Sequence, residues 1–443
     1  MFYISLWISK LYYFLTKKKP VTDRAGILAV RIDKKFIKHV KKPKVVIAVT
    51  GTNGKTTTCN LLVDLLEKKG YKVTSNKEGA NFSPGIAKAL LKGVTLFNKS
   101  KVDYAVIEFD ELNSKKILPY LKPNYIAVGN LFSDTMKRNA HTDYIFNKIE
   151  EAIPNSSILV LNADDLISSQ LGKNNKRVFF SISKLEADLK ENKSLVQDIR
   201  VCPKCYSLLE YKYIHYHHLG KAKCNKCGFT NFNANYKLTK IDYENKKIII
   251  NGEEYFLIND GIFNVYNELL AITILKEIGI PNIDETLKTL NIVKSRYSND
   301  KINNIEIITQ LAKGQNPIAV SRSCDYVNKL DGNKEVILIL DDIYDKKSTD
   351  RSEVMCWIYD SDFEFLNDDS VKRIIIGGFR AYDYKVRLLL AGIPKDKIYI
   401  SEQEEDAYKY LELKNTDKII IIHDIYLVNT AHKIVDRIKD DLK

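Results

Sequence analysis

The sequence predicts an α/β protein of two domains, each built on a mainly parallel sheet, and three observations carry that prediction. Apolar strand-like runs alternate with helical stretches along most of the chain. A second set of such runs follows a polar stretch near residue 300. With 443 residues, 45% of them hydrophobic and 28% charged, the chain has an ordinary globular composition and enough apolar material for more than one core.

In chain order, residues 1–44 come first and hold twelve Lys or Arg against Asp23 and Asp33, which places ten of the thirteen net positive charges there. Within them "FYISLWISKLYYFL" (2–15) is shorter than the roughly 20 apolar residues of a spanning helix and has no small-residue cleavage site. Neither a transmembrane helix nor a secretory signal is predicted. Ser5, Ser9, Tyr12 and Thr16 recur at helical spacing and leave an aromatic and aliphatic face beside "KKK" (17–19). This basic amphipathic segment suits an interfacial helix on an anionic membrane surface, or a helix packed on the body through its apolar stripe. No RNA-recognition, zinc-finger or helix-turn-helix signature accompanies the charge, so nucleic acid is not expected as a partner.

Strand signals follow at "VVIAVTG" (45–51), "YAVIEFD" (104–110), "YIAVGN" (125–130) and "ILVLNADD" (158–165), with helical stretches between most of them, which implies a parallel sheet covered on both faces. Near 190 the pattern breaks for a Cys-bearing, aromatic-rich insertion that ends near 235. "KKIIINGEEYFLI" (246–258) reads as a hairpin turning at Asn251-Gly252 and leads to the helix "NVYNELLAITILKEIGI" (264–280), which ends at Gly279 and Pro281. The polar "KSRYSNDKINN" (294–304) reads as a linker. Beyond it "VILIL" (336–340), "RIIIGG" (373–378), "KIYI" (397–400) and "KIIII" (418–422) give the smaller α/β domain. The expected division is 1–44, 45–300 with the insertion at 198–235, and 301–443.

The stretch "GTNGKT" (51–56) supplies each part of a phosphate-binding loop: Gly51 and Gly54 let backbone amides wrap phosphate, Lys55 reaches the outer oxygens, and Thr56 offers a hydroxyl to magnesium. Thr52 and Asn53 complete the loop, and a helix opening near Thr57 would aim its positive end at the anion. The commonest form of the motif would need glycine at position 49, where this chain has Val49. Magnesium takes a further carboxylate, and Glu108 at the carboxyl end of "YAVIE" is the candidate, with Asp110 and Glu111 close by.

Seven cysteines, an odd number without a secretory signal, argue for a reducing compartment and a cytoplasmic location. "CPKC" and "CNKC" place Cys202, Cys205, Cys224 and Cys227 as two knuckles separated by eighteen residues, a set suited to structural zinc with no position left for water. The intervening "HYHH" (215–218) could compete as ligands, but it reads better as surface histidines of the ribbon loop. Cys59, Cys324 and Cys356 read as small buried hydrophobes.

Six motifs in order, "GTNGKTTT" (51–58), "EGANFSPGI" (78–86), "IEFDE" (107–111), "GNLFSDTMKR" (129–138), "LNADD" (161–165) and "GIFNVYNELLA" (261–271), resemble the Mur ligase family, and more narrowly its MurT type, the ligase-like subunit of lipid II isoglutaminyl synthase. The resemblance implies a P-loop central domain with a parallel sheet and an inserted Cys₄ zinc ribbon, and a smaller Rossmann-like C-terminal domain. It implies ATP, Mg²⁺ and structural Zn²⁺. The reaction it implies is amidation of the D-glutamate α-carboxyl of the lipid II stem peptide through an acyl phosphate. Ammonia would come from a class-I glutaminase subunit in a heterodimer, the substrate would be lipid-linked, and the chain would sit peripherally at the inner face of the plasma membrane.

Residue by residue, the resemblance implies that Asp164 holds the nucleotide's ribose or base, that Asn264 and Asn267 lie on the adenine side, and that Asn130 and Asp134 lie near the γ-phosphate and acceptor. Arg296 resembles the arginine before the last domain. The family's "KNPxG"-like stretch stands here as "LAKGQNPIAVSRS" (311–323), and its "WIWD" stretch falls within "STDRSEVMCWIYDSDFE" (348–364). Asp360 matches the aspartate of that motif, and Asp350 or Glu353 is the acid that would complete the partner's catalytic triad. A stand-alone wall-peptide ligase and a non-catalytic nucleotide-sensing membrane scaffold remain the alternatives.

Overall fold

The computed structural model describes residues 1–16, 23–77, 80–133, 141–290, 297–312, 314–340 and 354–442, with Tyr297–Asp300 as backbone only. The described residues divide into two compact units: those within 1–133, 141–192 and 198–290 form the larger, and those within 193–197 and 297–442 the smaller.

The larger unit opens with three helices, α1 (Phe2–Thr16), α2 (Arg24–Ile32) and α3 (Phe36–His39). They lead into β1 (Val45–Thr50), α4 (Lys55–Lys68), β2 (Val73–Ser75), α5 (Ser83–Lys92) and β3 (Tyr104–Glu108). Then come α6 (Ser114–Leu121), β4 (Tyr125–Val128), α7 (Thr142–Glu150), β5 (Ile158–Asn162) and β6 (Arg177–Ile182). An antiparallel pair, β7 (Glu210–Tyr216) and β8 (Leu219–Lys223), stands apart as its own ribbon. The main sheet resumes with β9 (Tyr236–Asp242), β10 (Lys247–Ile250) and β11 (Glu253–Phe256), followed by α8 (Ile262–Glu277) and α9 (Ile283–Leu287).

Nine strands run in the order β11-β10-β9-β6-β5-β4-β1-β3-β2. All neighbours are parallel except the β9–β10 and β10–β11 pairs at one edge. Parallel strands with helices on the faces must bury both sides, and β1 reads accordingly as an almost unbroken apolar run with Val46, Ile47, Ala48 and Val49 all buried. The chain leaves β1 toward β2 and β3 on one side and places β4 on the other. The carboxyl end of β1 is therefore a topological switch point, where ligand crevices form in open sheets.

The first helix is turned inside out. Ser5 and Ser9 are fully buried, and Ser5 Oγ donates to the Ala29 carbonyl on α2 at 2.8 Å, while Phe14 is 76% exposed and Trp7, Leu11 and Leu15 also face outward. Leu6 of this helix joins the buried core, and Phe2, Tyr12 and Tyr13 pack partly against it. The helix does pack on the body, but through the side that carries Ser5 and Ser9, with most of its apolar stripe outward. Trp7 Nε1 donates to the Leu96 carbonyl, in a loop whose own Leu96 and Phe97 are exposed. Among the described residues no helix is long and apolar enough to cross a membrane.

The smaller unit has a six-stranded sheet in the order β12-β13-β17-β14-β15-β16. These strands are β12 (Tyr297–Ile302), β13 (Ile305–Leu311), β14 (Lys334–Ile339), β15 (Val371–Gly377), β16 (Ile398–Ser401) and β17 (Lys418–His423). Among the described residues its helices are α10 (Pro317–Lys329), α11 (Ala381–Leu390) and α12 (Val428–Asp441). The stretch expected as a linker is, from Tyr297 on, a strand: Asn303 and Asn304, with φ of 46° and 70°, turn β12 back antiparallel onto β13. Trp357 is fully buried and meets Tyr384 edge-on, and Arg387, itself buried, donates to the carbonyls of Ile358 and Ser361 and to Glu364.

Candidate nucleotide site and cysteine quartet

The loop between β1 and α4 has the backbone a phosphate cradle requires. Gly51 (φ 132°) and Gly54 (φ 84°) occupy conformations open to glycine alone at low cost. A Cβ on Gly54 would lie 2.0 Å from Asn267 Oδ1, so this glycine also admits α8 against the loop. Asn130, just past β4, holds the loop's shape: its carbonyl accepts from Thr52 N, its Oδ1 accepts from Asn53 N and its Nδ2 donates to the Asn53 carbonyl, all at 3.0–3.1 Å. Thr52 Oγ1 exchanges hydrogen bonds with the backbone of Phe132.

The cation and the acids converge on this loop. Lys55 Nζ pairs with Glu111 Oε1 at 2.8 Å and donates to the Gly51 carbonyl at 2.6 Å. The same Glu111 oxygen accepts from Gly51 N at 3.1 Å. Glu111 thus takes, from the loop amide and the lysine, the hydrogen bonds an anionic phosphate oxygen would take. Thr56 Oγ1 donates to Glu108 Oε2 at 2.9 Å, and Glu108 is further fixed by Asn81 and through its backbone by Asn76. Two oxygens that close match neighbouring corners of an octahedron with bonds of about 2.1 Å, so the pair fits magnesium. Thr57 follows on the first turn of α4.

Asp164, after β5, is buried, and its Oδ2 accepts from Ile182 N at 2.7 Å and from the Tyr266 hydroxyl at 2.8 Å. Burial pushes its carboxyl up to about 6, with the nearby His215 pulling the other way. Asn267 lies against Gly54, whereas Asn264, three residues earlier on α8, donates to the Asp260 carbonyl at 2.8 Å. Asp360 ends a short 3₁₀ turn in the smaller unit. Asp134, Arg296, Asp350 and Glu353 lie outside the described residues.

The four knuckle cysteines do come together. Their Sγ atoms lie within 4.8 Å of one another, with Cys202–Cys227 at 3.6 Å and Cys205–Cys224 at 3.4 Å. Both knuckles repeat one design: Tyr206 N donates to the Cys202 carbonyl and Gly228 N to the Cys224 carbonyl, each at 2.9 Å, with Tyr206 (φ 59°) and Gly228 (φ 72°) left-handed. The spacing is near the edge of about 3.8 Å expected for a thiolate tetrahedron with bonds of about 2.3 Å. Of the three isolated thiols, Cys59 and Cys324 are buried and burial pushes both up, but Cys356 is exposed, contrary to expectation, because its 3₁₀ turn spends its buried positions on Trp357 and Ile358.

The histidines between the knuckles are not on the surface. The β7–β8 tip packs against Phe132, Asp164 and Asp165 and buries His215 and His218. His215 Nδ1 lies 2.7 Å from Asp188 Oδ1. His218 Nε2 lies 3.1 Å from Asp165 Oδ1, and the other Asp165 oxygen accepts from Leu131 N. Burial alone would lower His218, but the carboxylates of Asp165 and Asp198 on either side of it outweigh this and raise it to about 9. The His217 ring stacks on Phe132 with centroids 5.1 Å apart. Sequence reasoning had also passed over Glu111 as the partner of Lys55; its only signal was its place just after Glu108.

Comparison with known proteins agrees with this arrangement. Residues 49–225 match the Mur ligase middle domain and residues 313–426 the MurT ligase C-terminal domain. The chain is 34% identical over 396 residues to the lipid II isoglutaminyl synthase (glutamine-hydrolyzing) subunit MurT of Staphylococcus aureus strain COL, spanning 88% of this chain and 87% of that one. Against the same subunit of Streptococcus pneumoniae it is 28% identical over 410 residues, covering 90% and 89%. In fold it resembles a pseudomurein peptide ligase type C from Methanothermus fervidus, with a TM-score of 0.67 at 24% identity over 91% of this chain and 81% of that one. It also resembles the MurF ligase from Thermotoga maritima in complex with ADP, at 0.60 and 15% over 94% and 84%. With the phosphate loop, the ordered motifs and both domain matches in place, the chain belongs to the Mur ligase family, in its MurT branch.

Proposed function

We propose that this chain is the ATP-using subunit of a lipid II isoglutaminyl synthase, converting the D-glutamate α-carboxyl of the stem peptide to the amide. The observation that carries the reading is the likeness to MurT subunits along nearly the whole chain, joined to a phosphate loop whose Lys55, Thr56 and Glu108 are in place. A carboxylate resists nucleophiles because of its charge and resonance, so its oxygen first takes the γ-phosphoryl group of ATP, releasing ADP, to give an acyl phosphate. Ammonia then attacks the acyl carbon, expelling phosphate and losing one proton to leave the amide.

In that reaction Lys55 would bind the outer phosphate oxygens on exchanging Glu111 for nucleotide, and Thr56 and Glu108 would hold the magnesium. When bound, that ion neutralises charge on the transferred group. Asn130 keeps the loop amides aimed. Asn267 and Asp164 border the nucleoside side, Asn264 acts through the entry to α8, and Asp134 and Arg296 take the roles their motifs imply. The domain division at 45–300 and 301–443 assigns nucleotide to the first part and the class-I glutaminase contact to the second, a Rossmann-like unit. There Asp350 or Glu353, with Asp360, would serve the partner's triad. The cysteine quartet holds structural zinc.

The outward apolar face of α1, with Lys-rich sequence after it, supports peripheral attachment to an anionic membrane surface, where a lipid-linked substrate would be met. The test is isotope tracing: the chain with its glutaminase partner, ATP, magnesium, lipid II and glutamine labelled at the amide nitrogen is expected to yield lipid II carrying that label. Unlabelled product with free ammonium as the only nitrogen source used, or incorporation of a whole amino acid, would refute it.

A further inference from the structure

Beyond the cysteine quartet, a second set of donor atoms closes around one point at the tip of the β7–β8 ribbon. His217, His218 and Asp198 each offer one ligand atom, and these lie within 4.8 Å of one another. His217 Nε2 is 3.3 Å and His218 Nδ1 3.6 Å from Asp198 Oδ2. Both are longer than the 2.7–3.2 Å of ordinary N–H···O bonds, although His215 a few residues away makes such a bond at 2.7 Å. Asp198 Oδ2 and His218 Nδ1 are buried and make no hydrogen bond among the described residues. Buried charged atoms left in that state are costly.

The separations instead match the edge of about 3.3 Å expected of a tetrahedron with metal–ligand bonds of about 2.0 Å. The surroundings match as well. His218 presents its other nitrogen to Asp165, and Asp198 presents its other oxygen to Ser133 N at 3.1 Å and to the Ser133 hydroxyl. Such carboxylate and backbone partners orient ligand side chains in metal sites. His217 holds a left-handed backbone (φ 51°), an uncommon conformation for a histidine.

We propose that Asp198, His217 and His218 form a second divalent-metal site, of zinc type, with two nitrogens, one carboxylate oxygen and a fourth position open to water. An ion there would displace the proton from His218 Nδ1 and pin the ribbon tip to Phe132 and Ser133. Phe132 in turn shares hydrogen bonds with Thr52 of the phosphate loop, so the site would fix the loop's backing from behind.

The experiment is zinc counting on the full chain, copurified with its partner where solubility needs it, dialysed against Zn²⁺ alone, desalted and measured by plasma mass spectrometry. About two zinc ions per chain are expected for the wild type, and about one for His217→Ala and for Asp198→Asn, with the quartet untouched. One ion in the wild type, or two in both variants, overturns the proposal and leaves His218 as a protonated bridge between two carboxylates. Should the variants fail to fold, X-ray absorption of the wild type decides: imidazole scattering with nitrogen and oxygen beside sulfur in the first shell is expected, and a sulfur-only shell refutes the site.

Discussion

Glu268 on α8 gives the most quantitative prediction. Its side chain is 2% exposed, its Oε2 accepts one hydrogen bond from Ile258 N at 3.0 Å, and its Oε1 has no hydrogen-bond partner among the described residues. Burial pushes the carboxyl from 4.5 up to about 8. The unfolded chain therefore ionises near 4.5 while the native one does not, and the native state sheds stability as pH rises from 4.5 through about 8. Each pH unit of that interval is worth about 1.4 kcal/mol, so the full loss is about 5 kcal/mol above pH 8 and about 3 kcal/mol at pH 7.

Glu268→Gln keeps an acceptor for Ile258 N and removes the ionisation. Its buried amide adds a constant cost of about 1–3 kcal/mol, so the informative quantity is the slope. Urea denaturation of wild type and variant at matched pH values, read as a difference so that other titrating groups cancel, is expected to move by about 4 kcal/mol in the variant's favour between pH 4.5 and 8. A difference that stays flat across this range would refute the reasoning. The position matters for binding as well, because the preceding residue, Asn267, rests on Gly54.

Three further outcomes follow from the same geometry. Lys55→Ala should abolish amidation and weaken binding of a non-hydrolysable ATP analogue by calorimetry, with transition-state stabilisation falling by about 3–4 kcal/mol or more, whereas Glu111→Gln, which frees the lysine from its 2.8 Å pair, should tighten analogue binding. Cys202→Ser should release zinc to a chromogenic chelator and make the ribbon around residues 198–231 the first site of limited proteolysis. Of the two tryptophans, Trp357 is buried and Trp7 half exposed, so emission should shift to the blue on anionic vesicles, and Leu11→Asp with Phe14→Asp should remove both the shift and cosedimentation.

What was legible in the sequence was what lies close together along it. The phosphate loop needs its glycines, lysine and threonine within six residues, and each cysteine knuckle needs two residues between its thiols, so local spacing gives the chemistry. The parallel sheet covered on both faces was legible, since continuous apolar runs such as "VVIAV" alternate with helical stretches, whereas the order of its strands was not. Glu111 was not, because its partners Gly51 and Lys55 lie 60 and 56 residues away. The orientation of α1 was hidden for a related reason: either stripe of an amphipathic helix could face the body, and the Ala29 carbonyl that captures Ser5 decides it. The linker reading of 294–304 failed because two consecutive asparagines, good loop residues, are also good hairpin residues.

The ribbon is spliced into its host rather than hung from it. Gly220 N donates to the Asp164 carbonyl, Asn231 Nδ2 to that of Ala163, and Asn235 N to that of Phe179, so backbone carbonyls just after β5 and within β6 are completed by the inserted segment. A shortened chain that joins residue 190 to residue 236 would thus leave these carbonyls after β5 and on β6 without their donors. Engineers wishing to exchange this segment between relatives would have to carry β5, β6 and α8 along with it, and the transferable piece is the larger unit as a whole.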